Sequence, residues 1–148
     1  MILKRANEND LDALVALQRA AYAENEEILG ATPIPLQADY AQILNDMEVW
    51  FAGSRSDPDG ALILQFRPDD MLIWSISAHP RARATGVGRG LLAIAEKRAQ
   101  DEKRKVIRLY TASVYLKNLG WYARHGFVEE SRETLADRIV VHMIKKLD

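Results

Sequence analysis

The chain contains no cysteine. That excludes disulfide bonds, thiolate metal sites and a cysteine nucleophile. Histidine is scarce as well: His79, His125 and His142 stand far apart in the sequence, and no dedicated metal site is expected. No apolar run approaches the length needed to cross a membrane, and the opening MILKRANEND has no signal-peptide body after its charges. A soluble, cytoplasmic protein with no membrane partner is the expectation. Neither sign of charge is in excess: 20 Lys and Arg against 21 Asp and Glu leave a net charge of -1, which gives no footprint for a nucleic acid. The 148 residues are 48% hydrophobic, enough for one domain with a real core, read here as spanning 1–148.

The most informative stretch runs from Met71 to Glu96. Met71 to Ala78 reads as a strand interrupted only by Ser75 and Ser77, and Pro80 ends it by removing a donor. Gly86, Gly88 and Gly90 follow at alternate positions. Apolar residues then recur at Val87, Leu91, Leu92, Ile94, Ala95 and Ala99, on one side of a helix. Backbone N–H groups at a helix start, with Arg81, Arg83 and Arg89 around them, suit a phosphate. A P-loop would need Gly-Lys-Ser/Thr, which is missing, and the dinucleotide fingerprint would need glycine where Leu91 stands.

Before this stretch, a strand over Met1 to Arg5 leads to a helix capped by Asn7, Asn9 or Asp10 and striped by Leu11, Leu14, Val15, Leu17, Ala21 and Tyr22. The acidic run Glu24 to Glu27 is either a solvated helix end or a negative mouth for a cationic substrate. A loop over Ala31 to Pro35 precedes a helix expected over Leu36 to Asp46. Strands follow over Glu48 to Ser54 and Ala61 to Phe66, joined by the turn Ser56-Asp57-Pro58-Asp59-Gly60. Beyond the glycines come a helix over Gly88 to Asp101, a strand over Val106 to Thr111 parallel to the central one, and a helix over Tyr115 to Arg124 closed by His125-Gly126. Strands over Phe127 to Glu133 and Arg138 to Ile144 finish the chain. Trp50, Phe51 and Trp74 are expected in the core or along the cleft, His79 beside the turn, and His142 as a structural strand residue.

In this order the elements resemble the GNAT (Gcn5-related N-acetyltransferase) family over almost the whole chain. Two motifs carry the resemblance: Arg83-Ala84-Thr85-Gly86-Val87-Gly88 after a strand and a proline, and Asn118-Leu119-Gly120-Trp121-Tyr122-Ala123-Arg124-His125-Gly126-Phe127. The resemblance implies an α/β fold with a central mixed, mainly antiparallel sheet of about seven strands and helices on both faces. It implies acetyl-CoA as co-substrate and no metal. Its pyrophosphate would lie on the Arg83 to Gly88 turn, with Arg89 and Gly90 just beyond. Its pantetheine arm would lie along Ile76, Ser77 and Ala78. Asn118 would touch the cofactor from the second motif, although the chain departs from the longer form of that motif at Tyr115 and Asn118.

The resemblance also assigns Tyr122 as general acid for the departing thiolate, with an oxyanion held by backbone N–H groups of the splayed strand. The expected reaction is direct transfer of acetyl to a primary amine in a ternary complex, without a covalent acetyl-enzyme. A lysine-like amine costs roughly 4–5 kcal/mol to deprotonate at pH 7. The central strand carries no carboxylate for that task, which leaves Glu26, Glu27, Glu48 or bulk water. The acceptor is a small molecule, an amino acid, an aminoglycoside-like compound or a peptide or protein amine. The alternative is a catalytically inactive CoA-binding regulatory or scaffolding protein of the same fold. Monomer and homodimer are both open.

Overall fold

The computed structural model describes residues 3–148. Met1 and Ile2, with which the first expected strand begins, lie outside the described residues. In chain order the elements are β1 (Leu3–Arg5), α1 (Leu11–Leu29), α2 (Tyr40–Asp46), β2 (Glu48–Gly53), β3 (Pro58–Phe66), β4 (Met71–Ala78), α3 (Val87–Asp101), β5 (Val106–Ala112), α4 (Leu116–Arg124), β6 (Val128–Thr134) and β7 (Ile139–Lys146). The strands form one sheet in the order β1-β2-β3-β4-β5-β7-β6. Every neighbouring pair is antiparallel except β4 with β5, which α3 joins as a parallel crossover. The expected mixed, mainly antiparallel sheet is the one that forms.

Alternation along β3 sorts the core into two layers. Ala61 and Ile63 pack with Leu14 and Leu17 of α1 and with Tyr40 and Ile43 of α2. Leu62 and Leu64 pack with Leu91, Leu92 and Ala95 of α3, in a cluster that also gathers Phe127 and the α4 residues Leu119, Trp121 and Tyr122. Two helices therefore cover each face, as a sheet buried on both sides requires.

Element boundaries move where a local cap or a close approach decides them. The helix expected from Leu36 starts instead at Tyr40, because the Asp39 side chain accepts from the Gln42 N–H at 3.2 Å and caps it there; Ile34–Leu36 is a separate 3-10 turn. Gly60 belongs to β3 rather than to a turn. A Cβ on it would stand 2.7 Å from Val87 Cγ1 and 2.8 Å from the Ser77 carbonyl oxygen. Its bare backbone lets the first turn of α3 sit down on the sheet. The last two strands cross over in space: β7 lies between β5 and β6 and buries Val141 and Met143, while β6 is the exposed edge.

The parallel pair is short. β4 and β5 are matched only at Met71 with Ile107 and Leu72 with Arg108, and beyond these residues the two strands part. Asp70, 4% exposed, closes the paired end: Arg67 donates to both of its oxygens at 2.6 Å and Arg108 of β5 donates at 2.9 Å. The Arg67 hydrogen bonds outweigh the effect of burial and, with Arg108, hold the Asp70 carboxyl below the usual carboxylate range.

Asp70→Asn is expected to destabilise the protein by about 2–3 kcal/mol. That is less than a fully buried pair would lose, since both guanidinium groups still reach solvent. In a chain of this size that is a fall of roughly 6–9 °C in Tm. A carboxylate with a lowered folded pKa stabilises above the unfolded value near 4 and loses that contribution as pH falls through the folded one. Thermal melts of wild type and variant should therefore differ at neutral pH and converge in acid. A difference that persists unchanged into acid would contradict the charge-based account.

Candidate active site

Where β4 and β5 part, a cavity of about 870 Å³ opens between the two strands, α1, α3 and α4. That is within the size range of small-molecule sites. A bulge shapes its wall: Ile63 of β3 is matched with Ser75 and Leu64 with Ile73, so Trp74 is the extra residue. The bulge switches the alternation of β4. Ser75 and Ser77 turn to the α1 side and Ile76 to the α3 side. From Ile73 to Ala78 the edge of β4 that faces β5 has no strand partner.

The open edge leads to the start of α3. Gly86 sits at φ +88°, a left-handed conformation that favours glycine, and no side chain caps the helix. The first helical bond runs from the Gly90 N–H to the Gly86 carbonyl at 3.0 Å, which leaves the N–H groups of Val87, Gly88 and Arg89 for an outside acceptor. Of the three arginines read as phosphate partners, only Arg89 has no ion pair among the described residues. Arg81 is held by Asp57 at 2.8 Å and Asp59 at 3.0 Å. Arg83 reaches across to Glu24 at 2.7 Å and to the Ala21 carbonyl at 3.3 Å, stitching the turn to α1. Lys117 and Arg124 of α4 line the same cavity. Sequence reading gave neither a role, although Lys117 stands just before the second motif and Arg124 inside it.

Most of the predicted site residues meet in this one cavity. Ile76, Ser77, Ala78, Arg83, Ala84, Gly86, Val87, Gly88, Arg89, Asn118 and Tyr122 all line it. Thr85 and Gly90 do not: the Thr85 hydroxyl donates to the Ala82 carbonyl, and Gly90 is already inside the helix ladder. His79 stays outside too, where its Nδ1 accepts from the Arg81 N–H at 3.2 Å and caps the Pro80–Ala82 turn. His125 lines the wall instead, with Nδ1 2.8 Å from the Trp121 carbonyl oxygen.

Tyr122 makes edge contacts with Trp121 and Phe127, at ring separations of 5.1 and 5.6 Å, and its hydroxyl has no hydrogen-bond partner among the described residues. Burial, with the nearby Tyr22 adding to it, pushes this phenol well above its ordinary value. It is therefore protonated at neutral pH and free to donate into the cavity.

The carboxylates considered as bases are placed elsewhere. Glu48 lies under α3 and accepts from Arg98 at 2.6 and 3.0 Å and from Trp50 at 2.8 Å. Burial raises its carboxyl, but these hydrogen bonds outweigh the effect and hold it low. Glu26 and Glu27 are exposed on α1 and do not line the cavity. Glu24 does line it, but as the partner of Arg83. The acidic run thus forms a solvated helix end and one cross-link rather than a negative mouth.

A family model described as an acetyltransferase (GNAT) domain matches residues 45–129. The chain belongs to this family. The GNAT fold recurs over the full length in solved structures. The PaiA N-acetyltransferase from Thermoplasma acidophilum, solved with coenzyme A, aligns over 99% of both chains at 18% identity with a TM-score of 0.78. The ribosomal-protein-S18-alanine N-acetyltransferase of Escherichia coli aligns over 99% of this chain and 94% of its own, at 14% identity and a TM-score of 0.82. A ribosomal-protein-alanine N-acetyltransferase from Brucella melitensis aligns over 99% and 100%, at 21% identity and a TM-score of 0.73. At such identities the likeness establishes the fold. No curated protein resembles this GNAT chain closely enough to count as a match.

All five tyrosines of the chain, Tyr22, Tyr40, Tyr110, Tyr115 and Tyr122, are held above their ordinary value by burial. Unfolded phenols ionise near pH 10, whereas Tyr22 in the fold is pushed up to about 12. The folded state binds the extra protons, so its stability should fall as pH rises from about 10 towards 12 and be untouched by these groups below 10. Tyrosinate absorbance is expected to stay flat to pH 10 in the native protein and to rise there in urea. An early native rise would refute the burial of these hydroxyls.

Proposed function

We propose that the protein transfers the acetyl group of acetyl-CoA directly to a primary amine, with both substrates bound at once and Tyr122 as general acid. The observation that carries this reading is the parting of β4 and β5 towards an uncapped helix start. Strand edge and helix terminus together present one continuous set of backbone polar groups to an elongated, anionic ligand. The residues present fit that ligand: glycine at the turn, Arg89, Lys117 and Arg124 around it, and an apolar slot above.

When bound, acetyl-CoA supplies an activated thioester. The chain orients it. Val87, Gly88 and Arg89 would take the pyrophosphate on their N–H groups, with Gly86 making the turn, and the free edge over Ile76, Ser77 and Ala78 would take the amide arm in strand fashion. The same edge directs N–H groups at the place where negative charge develops during attack. Tyr122, on the wall of the cavity, would hold a proton for the departing thiolate. Its raised pKa makes donation to an ordinary thiolate unfavourable, but a thiolate leaving inside the same dry wall is itself made more basic. With no cysteine in the chain and no unpaired carboxylate in the cavity, the amine attacks the thioester itself and loses its proton to water.

Isothermal titration with acetyl-CoA is expected to show micromolar binding that Gly86→Glu abolishes, because a side chain at φ +88° is strained and its charge repels phosphate. Absence of binding by the wild-type protein would defeat the proposal. With an accepted amine, Tyr122→Phe should lower kcat by about 10²–10⁴ while leaving acetyl-CoA affinity near wild type. Unchanged turnover would remove Tyr122 from the acid role, and a trapped acetyl-enzyme would remove direct transfer. Binding without turnover of any amine would favour the regulatory alternative.

A further inference from the structure

The part of the cavity lined by Tyr22 of α1 and Arg138 is built to offer hydrogen-bond donors. Its directionality follows from a chain of contacts that starts at a carbonyl. The Tyr40 hydroxyl lies 2.6 Å from the Pro35 carbonyl oxygen, which can only accept, so Tyr40 spends its proton there. Its oxygen must then accept from Gln18, whose Nε2 is 3.1 Å away. The same Nε2 gives its second hydrogen to the Ser75 Oγ at 3.2 Å. Turning the amide over would set Gln18 Oε1 against the Tyr40 oxygen with no proton between them. The assigned orientation stands even though it leaves Oε1 buried without a partner.

Ser75 is 4% exposed, and its remaining neighbour is the Tyr22 hydroxyl at 2.8 Å. Its proton goes to the Tyr22 oxygen, since the alternative leaves a buried donor unpaired. The Tyr22 proton is thereby left for the cavity that Tyr22 lines.

A second donor faces the same space. Arg138, at the foot of β7, lines the cavity with a side chain 10% exposed. Its Nε and Nη2 are committed to Asp137 at 2.8 and 2.9 Å, and Nη2 also to the Thr32 carbonyl at 2.9 Å. Nη1 has no partner among the described residues. Asp137 does not cancel this edge: it is 52% exposed and occupies the opposite side of the guanidinium. Tyr115 spends its own proton on the Asn25 carbonyl at 3.3 Å, and Glu24 is taken by Arg83. This part of the cavity therefore holds a phenol proton and a guanidinium edge, and no carboxylate free to receive a cation. Arg138 holds the Thr32 segment and Tyr115 holds α1 beside this wall.

We propose that Tyr22 and Arg138 form a carboxylate-binding wall and that the acceptor is a small amine carrying a carboxylate, an amino acid in the broad sense. The inference rests on the acetyl-CoA reading above and gives its acceptor a chemical class. Arg138 supplies charge and its free Nη1 N–H to the carboxylate, and Tyr22 supplies the second donor. Gln18 is a positioning residue that acts only through Ser75.

The test uses the full-length protein with saturating acetyl-CoA and measures thiol release. The acceptors are a panel of α- and ω-amino acids, each paired with its own methyl ester and with the amine lacking the carboxyl group. A charge-assisted contact of this kind should favour the free acid by about 10- to 100-fold in kcat/KM for the accepted members. Arg138→Gln should collapse that acid-to-ester ratio towards one. Tyr22→Phe should raise KM for the acid about tenfold with a smaller effect on kcat.

Arg138→Gln loses its tie to the Thr32 segment and can fold poorly, so the wild-type acid-to-ester ratio is decisive without it. Esters or plain amines turned over as fast as acids would overturn the carboxylate assignment. So would turnover of no acid while acetyl-CoA still binds, and in both cases the cofactor reading is left standing. Failure of the wild-type protein to bind acetyl-CoA would overturn that reading, and this inference with it.

Discussion

At the paired end of the central sheet one buried carboxylate, Asp70, gathers Arg67 from the turn before β4 and Arg108 from the middle of β5. The Arg67 turn is closed further by its own N–H to the Asp70 carbonyl at 2.9 Å. Arg104, just ahead of β5, donates to the Arg67 carbonyl at 2.7 Å. These contacts fix where β4 and β5 begin side by side, and so fix where they separate. Two matched residue pairs later the strands diverge, and a buried sheet acquires an open seam. An unpaired strand edge inside a protein is costly unless something else satisfies it. Here the vacant backbone groups face a cavity that also reaches the uncapped start of α3, where a bound ligand would supply the missing partners.

The bulge at Trp74 adds the second constraint. Without the extra residue, Ser75 would continue the side of Met71 and Ile73 and face α3. With it, Ser75 and Ser77 face α1, and Ile76 joins the apolar layer. One inserted residue thus brings a hydroxyl to Gln18 and Tyr22 and keeps an apolar side chain beside α3. Trp74 itself lies edge-on to Tyr40 at 6.0 Å, on the wall of the same cavity.

The charges of the site have been redistributed relative to their order along the chain. Arginine density before α3 pointed to phosphate, yet Arg81 and Arg83 are spent on Asp57, Asp59 and Glu24. They lock the turn in place, while Arg89, Lys117 and Arg124 are left around its mouth. A guanidinium that immobilises a loop and one that meets a ligand look alike in a sequence. What separates them is whether a carboxylate lies within reach, and those carboxylates come from 22 to 59 residues away.

By itself the sequence determined the order and type of the elements and the glycine turn ahead of α3, whose start it placed at Gly88 rather than Val87, because these rest on local rules. Periodicity marks strands and helices, glycine marks the left-handed cap, and short-range spacing carries both motifs. The same locality explains its misses, such as Gly60 read as a turn when its bareness serves α3, and a helix start assigned ahead of its Asp39 cap. Only the tertiary structure decided the insertion of β7 between β5 and β6 and the flip of Ser75 towards α1. It alone removed Glu48 to the far side under Arg98 and brought Tyr22, Ser75, Tyr115 and Arg138 into one cavity. Hydrogen-bond partners and burial are set by packing between segments distant in the chain, and no window of neighbouring residues contains that information.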